Sequence, residues 1–369
     1  MKRALRLAAK GRGWVSPNPM VGAVVVRDGK VLGEGWHHGP GLPHAEVEAI
    51  LDAERRGHST ARATLYVTLE PCCTHGRTPP CTGAILRAGI ARVVIAAVDP
   101  NPCHAGRAVP LLREAGVVVE TGLLAEESQG LNEAFERWIS TRLPFVTAKS
   151  AMTLDGKIAT ATGESKWITG PVARAFGMRL RRGVDAILAG VQTVLADDPS
   201  LTVRSLTDAV GGELIRRKPT PLRVILDSRA RTPLGAKVVT DADAHRTRVV
   251  VTTAAPSRRV ALLRERVRVM VAPTTSSGRV DLGWLLKALG AEGVVHLLVE
   301  GGGETLASFF TERRAQRVAF FYAPKILGGR DARRAVGGEG ARSMEEILNL
   351  REIEWRRVGE DLFMTARID

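Results

Sequence analysis

Apolar and polar positions along the chain switch repeatedly between two periods. Short apolar, β-branched runs stand at 20–26 (MVGAVVV), 64–69 (TLYVTL), 92–99 (RVVIAAVD) and 116–122 (GVVVETG). Between them, apolar residues recur at helical spacing in 44–56 (HAEVEAILDAERR), 80–89 (PCTGAILRAG) and 106–116 (GRAVPLLREAG). This alternation predicts an α/β layer structure, a sheet covered by helices. A longer helical stretch, 124–142, leads into Pro144, where a second alternation begins. Its predicted strands are 144–152, 184–190, 222–228, 248–253, 294–300 and 317–327. The boundary falls near residue 143, giving segments 1–143 and 144–369.

Composition adds little to that picture and removes several function classes. A chain of 369 residues, 44% hydrophobic and 25% charged, is long enough for two ordinary cores. No apolar run approaches the ~18 residues of a membrane span. The basic opening MKRALRLAAKGRGW lacks an apolar stretch of signal-peptide length. A reducing, cytoplasmic setting is therefore expected. Net charge is +14, of which residues 144–369 carry about +11, a bias that suits phosphorylated ligands. With aromatics at only 4%, stacking platforms for nucleic acid are few. Small-molecule substrates are expected, with no nucleic-acid or membrane partner.

The cysteines change the picture more. Three of the four, Cys72, Cys73 and Cys81, fall within ten positions, in LEPCCTHGRTPPC. In a long chain from a reducing compartment, such clustering means metal or thiolate chemistry rather than a disulfide framework. Upstream, His44 and Glu46 form H-x-E at the start of a predicted helix. Pro71-Cys72 closes a predicted strand, and Cys81 opens the next helix. One imidazole and two thiolates can hold Zn²⁺ and leave its fourth position to water. Glu46, two residues from His44, can shuttle the proton of that water. The H-x-E…P-C order fits the zinc deaminases, although C-x-x-C is replaced here by Cys72-x8-Cys81.

The long C-x8-C loop ending Gly76-Arg77-Thr78-Pro79-Pro80-Cys81 resembles the bifunctional deaminase-reductase family of riboflavin biosynthesis. So do S-P-N-P-x-V-G-A-V-V-V at 16–26, T-L-E-P-C at 68–72 and D-P-N-P at 99–102. The resemblance covers essentially the whole chain. It implies a cytidine-deaminase-like α-β-α domain at 1–143, with zinc on His44, Cys72 and Cys81 and Glu46 as the catalytic group. Cys73 is then a neighbour, and Cys103 structural or incidental. Several family members carry His where this chain has Thr74, with His75 one place on. By the same resemblance, Asn18, His37, Arg77, Asp99 and Asn101 surround a pyrimidine and its ribose phosphate.

In the second half, an apolar run ends at Glu300 and is followed by Gly301-Gly302-Gly303 and a helix near Glu304. Glycines before a helix admit a phosphate, but the pattern is not G-x-G-x-x-G. Segments 149–159 (KSAMTLDGKIA), 165–170 (SKWITG) and 193–204 (TVLADDPSLTVR) are similar to the riboflavin reductase domain. That similarity implies a dihydrofolate-reductase-like α/β fold at 144–369. It places NADPH against Ala151, Trp167, Thr193, Asp197, Ser228 and the loop Gly302, Gly303, Glu304, Thr305, Leu306, Ala307 and Ser308. Substrate then meets Ser165, Arg181, Leu201, Arg204 and Glu300. The implied assembly is a homo-oligomer that deaminates a phosphoribosylaminopyrimidine and then reduces its ribosyl chain. A tRNA or nucleoside deaminase would show C-x-x-C and leave 144–369 unused. A zinc-stapled binding module would need a fourth protein ligand.

Overall fold

The basic opening of the chain is a helix, α1 (Lys2–Ala8), because Ala4, Leu7 and Ala8 share one buried face. Strand β1 (Gly22–Arg27) turns through Asp28-Gly29, both at positive φ, into antiparallel β2 (Lys30–Trp36). Asp-Gly suits such a two-residue hairpin. Then follow α2 (Ala45–Arg55), β3 (Thr64–Leu69), α3 (Cys81–Arg87), β4 (Arg92–Ala97), α4 (Ala108–Glu114), β5 (Val118–Thr121) and α5 (Ala125–Thr141). The sheet order is β2-β1-β3-β4-β5, with β3, β4 and β5 parallel.

This computed structural model describes residues 1–76, 78–203 and 220–369. The chain divides into two compact units, Met1–Arg142 and Leu143–Asp369. In the first, β1 alternates its side chains between two helical layers. Ala23 and Val25 pack with Ala45 and Ala49 of α2, whereas Val24 packs with Ala4 and Leu7 of α1. Helix α2 lies unusually close to β2. A Cβ added at Gly33 would stand 2.2 Å from the Ala49 carbonyl oxygen, and one at Gly35 would stand 2.4 Å from the Ala49 nitrogen.

The second unit contains β6 (Phe145–Thr153), β7 (Lys157–Ala159), α6 (Pro171–Arg182), β8 (Ala186–Gly190), α7 (Val191–Asp197), β9 (Leu222–Leu226) and α8 (Lys237–Thr240). It continues with β10 (Thr247–Thr252), α9 (Ser257–Arg264), β11 (Arg268–Ala272), α10 (Leu282–Ala291), β12 (His296–Val299) and α11 (Gly303–Thr311). The last strands are β13 (Arg317–Ala323), β14 (Arg333–Arg334), β15 (Leu350–Val358) and β16 (Asp361–Ile368). The main sheet runs β11-β10-β9-β8-β12-β6-β13-β16-β15, parallel as far as β13 and antiparallel beyond. Both faces of its parallel part are covered, as such sheets require. In β8, Ala186 and Leu188 face the cluster built with α10 and α11, while Ile187 and Ala189 face α7, α8 and α9.

One predicted strand is shorter than its apolar run. The stretch 317–327 leaves the sheet after Ala323, where Pro324 has no N–H to donate. Beyond it, the Asp155 carboxylate accepts from the Leu327 and Gly328 amides. Among the described residues, no helix is long and apolar enough to cross a membrane.

Candidate active sites

His44 immediately precedes α2 in an extended conformation, and Cys81 is the first residue of α3. Cys72 lies just past the end of β3, and its Sγ accepts from the Cys81 amide at 3.3 Å. His44 Nδ1 is 3.5 Å from Cys72 Sγ and 3.3 Å from Cys81 Sγ. The three donor atoms all lie within 4.8 Å of one another. Tetrahedral Zn²⁺ with ordinary bond lengths separates N and S donors by about 3.5 Å, so the group fits the ion. The electrostatics agree. The Cys81 hydrogen bond holds the Cys72 thiol below its usual pKa, and hydrogen bonding to Cys72 pushes Cys81 up. Cys72 also raises His44. Three clustered donors competing for protons suit a cation.

Glu46 sits on the first turn of α2 and is 3% exposed. Burial, then the nearby Cys72 charge, pushes its carboxyl up to about 7, where it can both take and give a proton near neutrality. His44, Cys72 and Glu46 line a cleft of about 360 Å³ that also reaches Asn18, His37, Asp99 and Asn101. His37 is buried, and burial lowers its pKa. Its Nδ1 faces the Pro43 carbonyl at 3.1 Å and its Nε2 faces Asn18 Nδ2 at 3.0 Å. A carbonyl only accepts, so Nδ1 carries the proton, Asn18 donates its amide N–H to Nε2, and the ring is neutral. Burial also raises Asp99, whose Oδ1 accepts from the Asn101 amide. Arg77 lies outside the described residues.

Glu70, which is not among the site residues expected from sequence, organises this loop. Its buried carboxylate accepts from the amides of Asp99, Gly106 and Ala108. A carboxylate at the end of the otherwise apolar run TLYVTLE was the available signal. Phe135, Trp138, Ile139 and Arg142 of α5 and its C-cap, also not among those expected residues, form one wall of the cleft. Cys73 lies 4.0 Å from His104 Nδ1, and Cys103 is exposed.

In the second unit, Glu300 follows β12 and forms a two-pronged ion pair with Arg181 of α6, at 2.8 and 2.7 Å. Lys149 of β6, not among the site residues expected from sequence, stands 3.8 Å from the same carboxylate. A lone cation in the apolar run PFVTAKSAM was its signal. Burial works against the Glu300 charge, but Arg181 and Lys149 outweigh it and hold the carboxyl down to about 2. These residues, with Ala151, Thr169, Arg174 and Phe321, line a cavity of about 180 Å³. Arg181 also donates to the Thr202 carbonyl, next to buried Leu201 at φ 49°. Ser165 donates to Asp197 at 3.2 Å. Arg204 lies outside the described residues.

Helix α11 starts at Gly303, one residue before the predicted start, beyond the carboxyl end of β12. A Cβ at Gly301 would lie 2.5 Å from Thr305 Cβ, so only glycine lets the backbone pass. Thr193, in α7, stands near Gly302, its Oγ1 3.9 Å from where a Cβ would be. Amides at a helix start beyond parallel strand ends suit a dinucleotide phosphate. Ser228 follows β9, and its carbonyl accepts from Thr252. Glu304 and Ser308 both engage Arg279. Leu306 and Ala307 are buried, Leu306 completely. Trp167 is exposed beneath the Arg174 guanidinium, 4.4 Å from the ring centre.

Residues 1–97 match the family described as the cytidine and deoxycytidylate deaminase zinc-binding region, and residues 144–364 match the RibD C-terminal domain. The riboflavin biosynthesis protein RibD of Aquifex aeolicus is 45% identical over 98% of this chain and 96% of its own. The chain belongs to the RibD family. The RibD protein of Escherichia coli K12 is 39% identical, covering 98% and 96%. A solved Acinetobacter baumannii RibD has a TM-score of 0.85 at 35% identity, covering 100% and 97%. A Thermotoga maritima structure, described as a diaminohydroxyphosphoribosylaminopyrimidine deaminase/5-amino-6-(5-phosphoribosylamino)uracil reductase, gives 0.80 at 36%, covering 100% and 97%. RibD proteins join a zinc-binding deaminase domain to an NADPH-dependent reductase domain, a bifunctional enzyme of riboflavin biosynthesis. The α/β layers of both units accord with that pairing.

Proposed function

We propose that segment 1–143 removes the 2-amino group of 2,5-diamino-6-(5-phosphoribosylamino)pyrimidin-4(3H)-one as ammonia. Segment 144–369 then reduces the ribosyl chain of the product to ribityl, giving 5-amino-6-(5-phosphoribitylamino)uracil. The observation that carries the reading is Glu46, buried beside a three-donor trio that opens onto a cleft. A binding module stapled by zinc would have a fourth protein donor, and the trio has none among the described residues.

His44, Cys72 and Cys81 would hold zinc, which would supply an acidified water there. Glu46 takes the proton of that water and delivers it to the departing nitrogen. Asn18 gives one N–H to His37 and offers its carbonyl oxygen to the pyrimidine edge. Asp99 and Asn101 bind from the loop that Glu70 fixes, and Arg77 takes phosphate. NADPH bound in segment 144–369 would supply the hydride for the ribosyl C1′. Ala151, Trp167, Thr193, Asp197, Ser228 and the 302–308 loop bind that cofactor, with Leu306 and Ala307 contributing backbone only. Arg181, Glu300, Ser165, Leu201 and Arg204 hold the substrate.

The enzyme works in the cytoplasm, in keeping with four unpaired cysteines. It acts as a homo-oligomer, for which β15 offers an exposed sheet edge carrying Trp355 at 60% exposure. Purified protein with zinc and NADPH should release ammonia from the diaminopyrimidine and none from cytidine or tRNA. Ammonia from cytidine or tRNA, without release from the diaminopyrimidine, would replace this reading with a nucleoside or tRNA deaminase.

A further inference from the structure

Helix α5 presents Phe135, Trp138 and Ile139 to the deaminase cleft, followed by Arg142 at its C-cap. The spacing i, i+3, i+4, i+7 puts all four on one face. Three of them are hydrophobic, and the fourth ends the row with a cation. The guanidinium of Arg142 lies 4.8 Å from the centre of the Trp138 ring. Stacking on an indole fixes a guanidinium plane and leaves its N–H edges free to bind.

Two further observations bear on this arginine. The first is charge. Among the described residues lining the cleft, Arg142 is the only arginine or lysine, whereas Glu46, Glu70 and Asp99 are carboxylates. The phosphate of a phosphoribosyl substrate carries close to two negative charges at neutral pH. It must lie away from those carboxylates and toward a cation. The second is backbone. Arg142 caps α5 at φ 59°, a left-handed conformation that glycine adopts without penalty and arginine does not. A non-glycine residue held there points to a gain elsewhere.

We infer that Arg142, stacked on Trp138, makes a contact to the phosphate of the deaminase substrate beyond the one assigned to Arg77, and strengthens that site's preference for a phosphorylated ribose. The inference rests on the proposed function, because it takes the phosphoribosyl compound as substrate. Trp138 acts as a positioning residue that orients the guanidinium.

Arg142→Gly tests the two roles of this position in opposite directions. Glycine relieves the left-handed backbone, so the melting temperature should hold or rise. Loss of a charge-assisted contact should raise the deaminase KM for the phosphoribosyl substrate about tenfold to a hundredfold. The preference for that substrate over its dephosphorylated form, measured as the ratio of kcat/KM values, should fall by the same factor. Ribose 5-phosphate should inhibit deamination by the wild type and much less by the variant. Arg142→Lys should recover part of the preference. An unchanged ratio in Arg142→Gly, with the wild type active, overturns this inference alone. So does equal loss on both substrates, which marks a structural role. A wild type that releases no ammonia from the phosphoribosyl compound overturns the proposed function and this inference together.

Discussion

Single residues divide the His44–Cys72–Cys81 trio from its surroundings. Cys72 and Cys81 each approach His44 Nδ1 within 3.5 Å, whereas Cys73 lies near His104 and Cys103 is exposed. Replacing Cys72 or Cys81 by Ser should therefore abolish stoichiometric zinc, and Cys73→Ser or Cys103→Ser should retain it, as metal analysis would reveal. Zinc lost as completely from Cys73→Ser would contradict the ligand set. Glu300 poses a second question at this scale. Its carboxyl, held down to about 2 against an ordinary 4.5, stabilises the fold fully above pH 4.5. That contribution fades as pH falls toward about 2, because the unfolded chain binds the proton first. Glu300→Gln leaves Arg181 and Lys149 facing a neutral amide. Breaking such a buried pair costs about 3–5 kcal/mol. Calorimetry should then show a lower neutral-pH transition for the variant and a shallower loss between pH 4.5 and 2.

Elements carry the residues, and β2 illustrates how. Its sequence KVLGEGW reads poorly as a strand because glycine interrupts the apolar pattern. The reason lies in packing: Gly33 and Gly35 admit the backbone of α2, whose first turn follows His44 and carries Glu46. Gly33→Ala should push α2 outward and destabilise the protein by roughly 1–3 kcal/mol. Zinc occupancy should fall with it, measurable by thermal unfolding and metal content. Elements with plain periodicity were legible in the sequence, as β3, β4, α2 and the strands around Glu300 attest. The local H-x-E and C-x8-C spacings likewise marked three donors that the fold brings within 4.8 Å of one another. Residues whose meaning depends on a partner distant in sequence were not legible. Glu70 binds amides up to 38 positions away, and Lys149 meets a carboxylate at position 300. Strands β15 and β16 escaped for a similar reason, since charged residues interrupt their apolar runs.

At the scale of the whole molecule, two compact units each carry their own sheet, core and candidate site. The trio and Glu46 belong to Met1–Arg142, and the Arg181–Glu300 pair belongs to Leu143–Asp369. Chemistry at one should thus be separable from chemistry at the other. Residues 144–369 expressed alone should oxidise NADPH when given the deaminated substrate, and a folded fragment without that activity would contradict separability. The most direct test uses the full chain with Glu46→Gln. That change keeps the side-chain shape and the zinc donors but removes the group that moves protons, a role worth ~10²–10⁴-fold in rate. In a coupled assay with zinc and NADPH, the variant should consume NADPH at the wild-type rate when supplied with the deaminated pyrimidine. Supplied with the diamino precursor, it should release ammonia at least about a hundredfold more slowly than wild type. Near-normal ammonia release from the zinc-loaded variant would contradict the account.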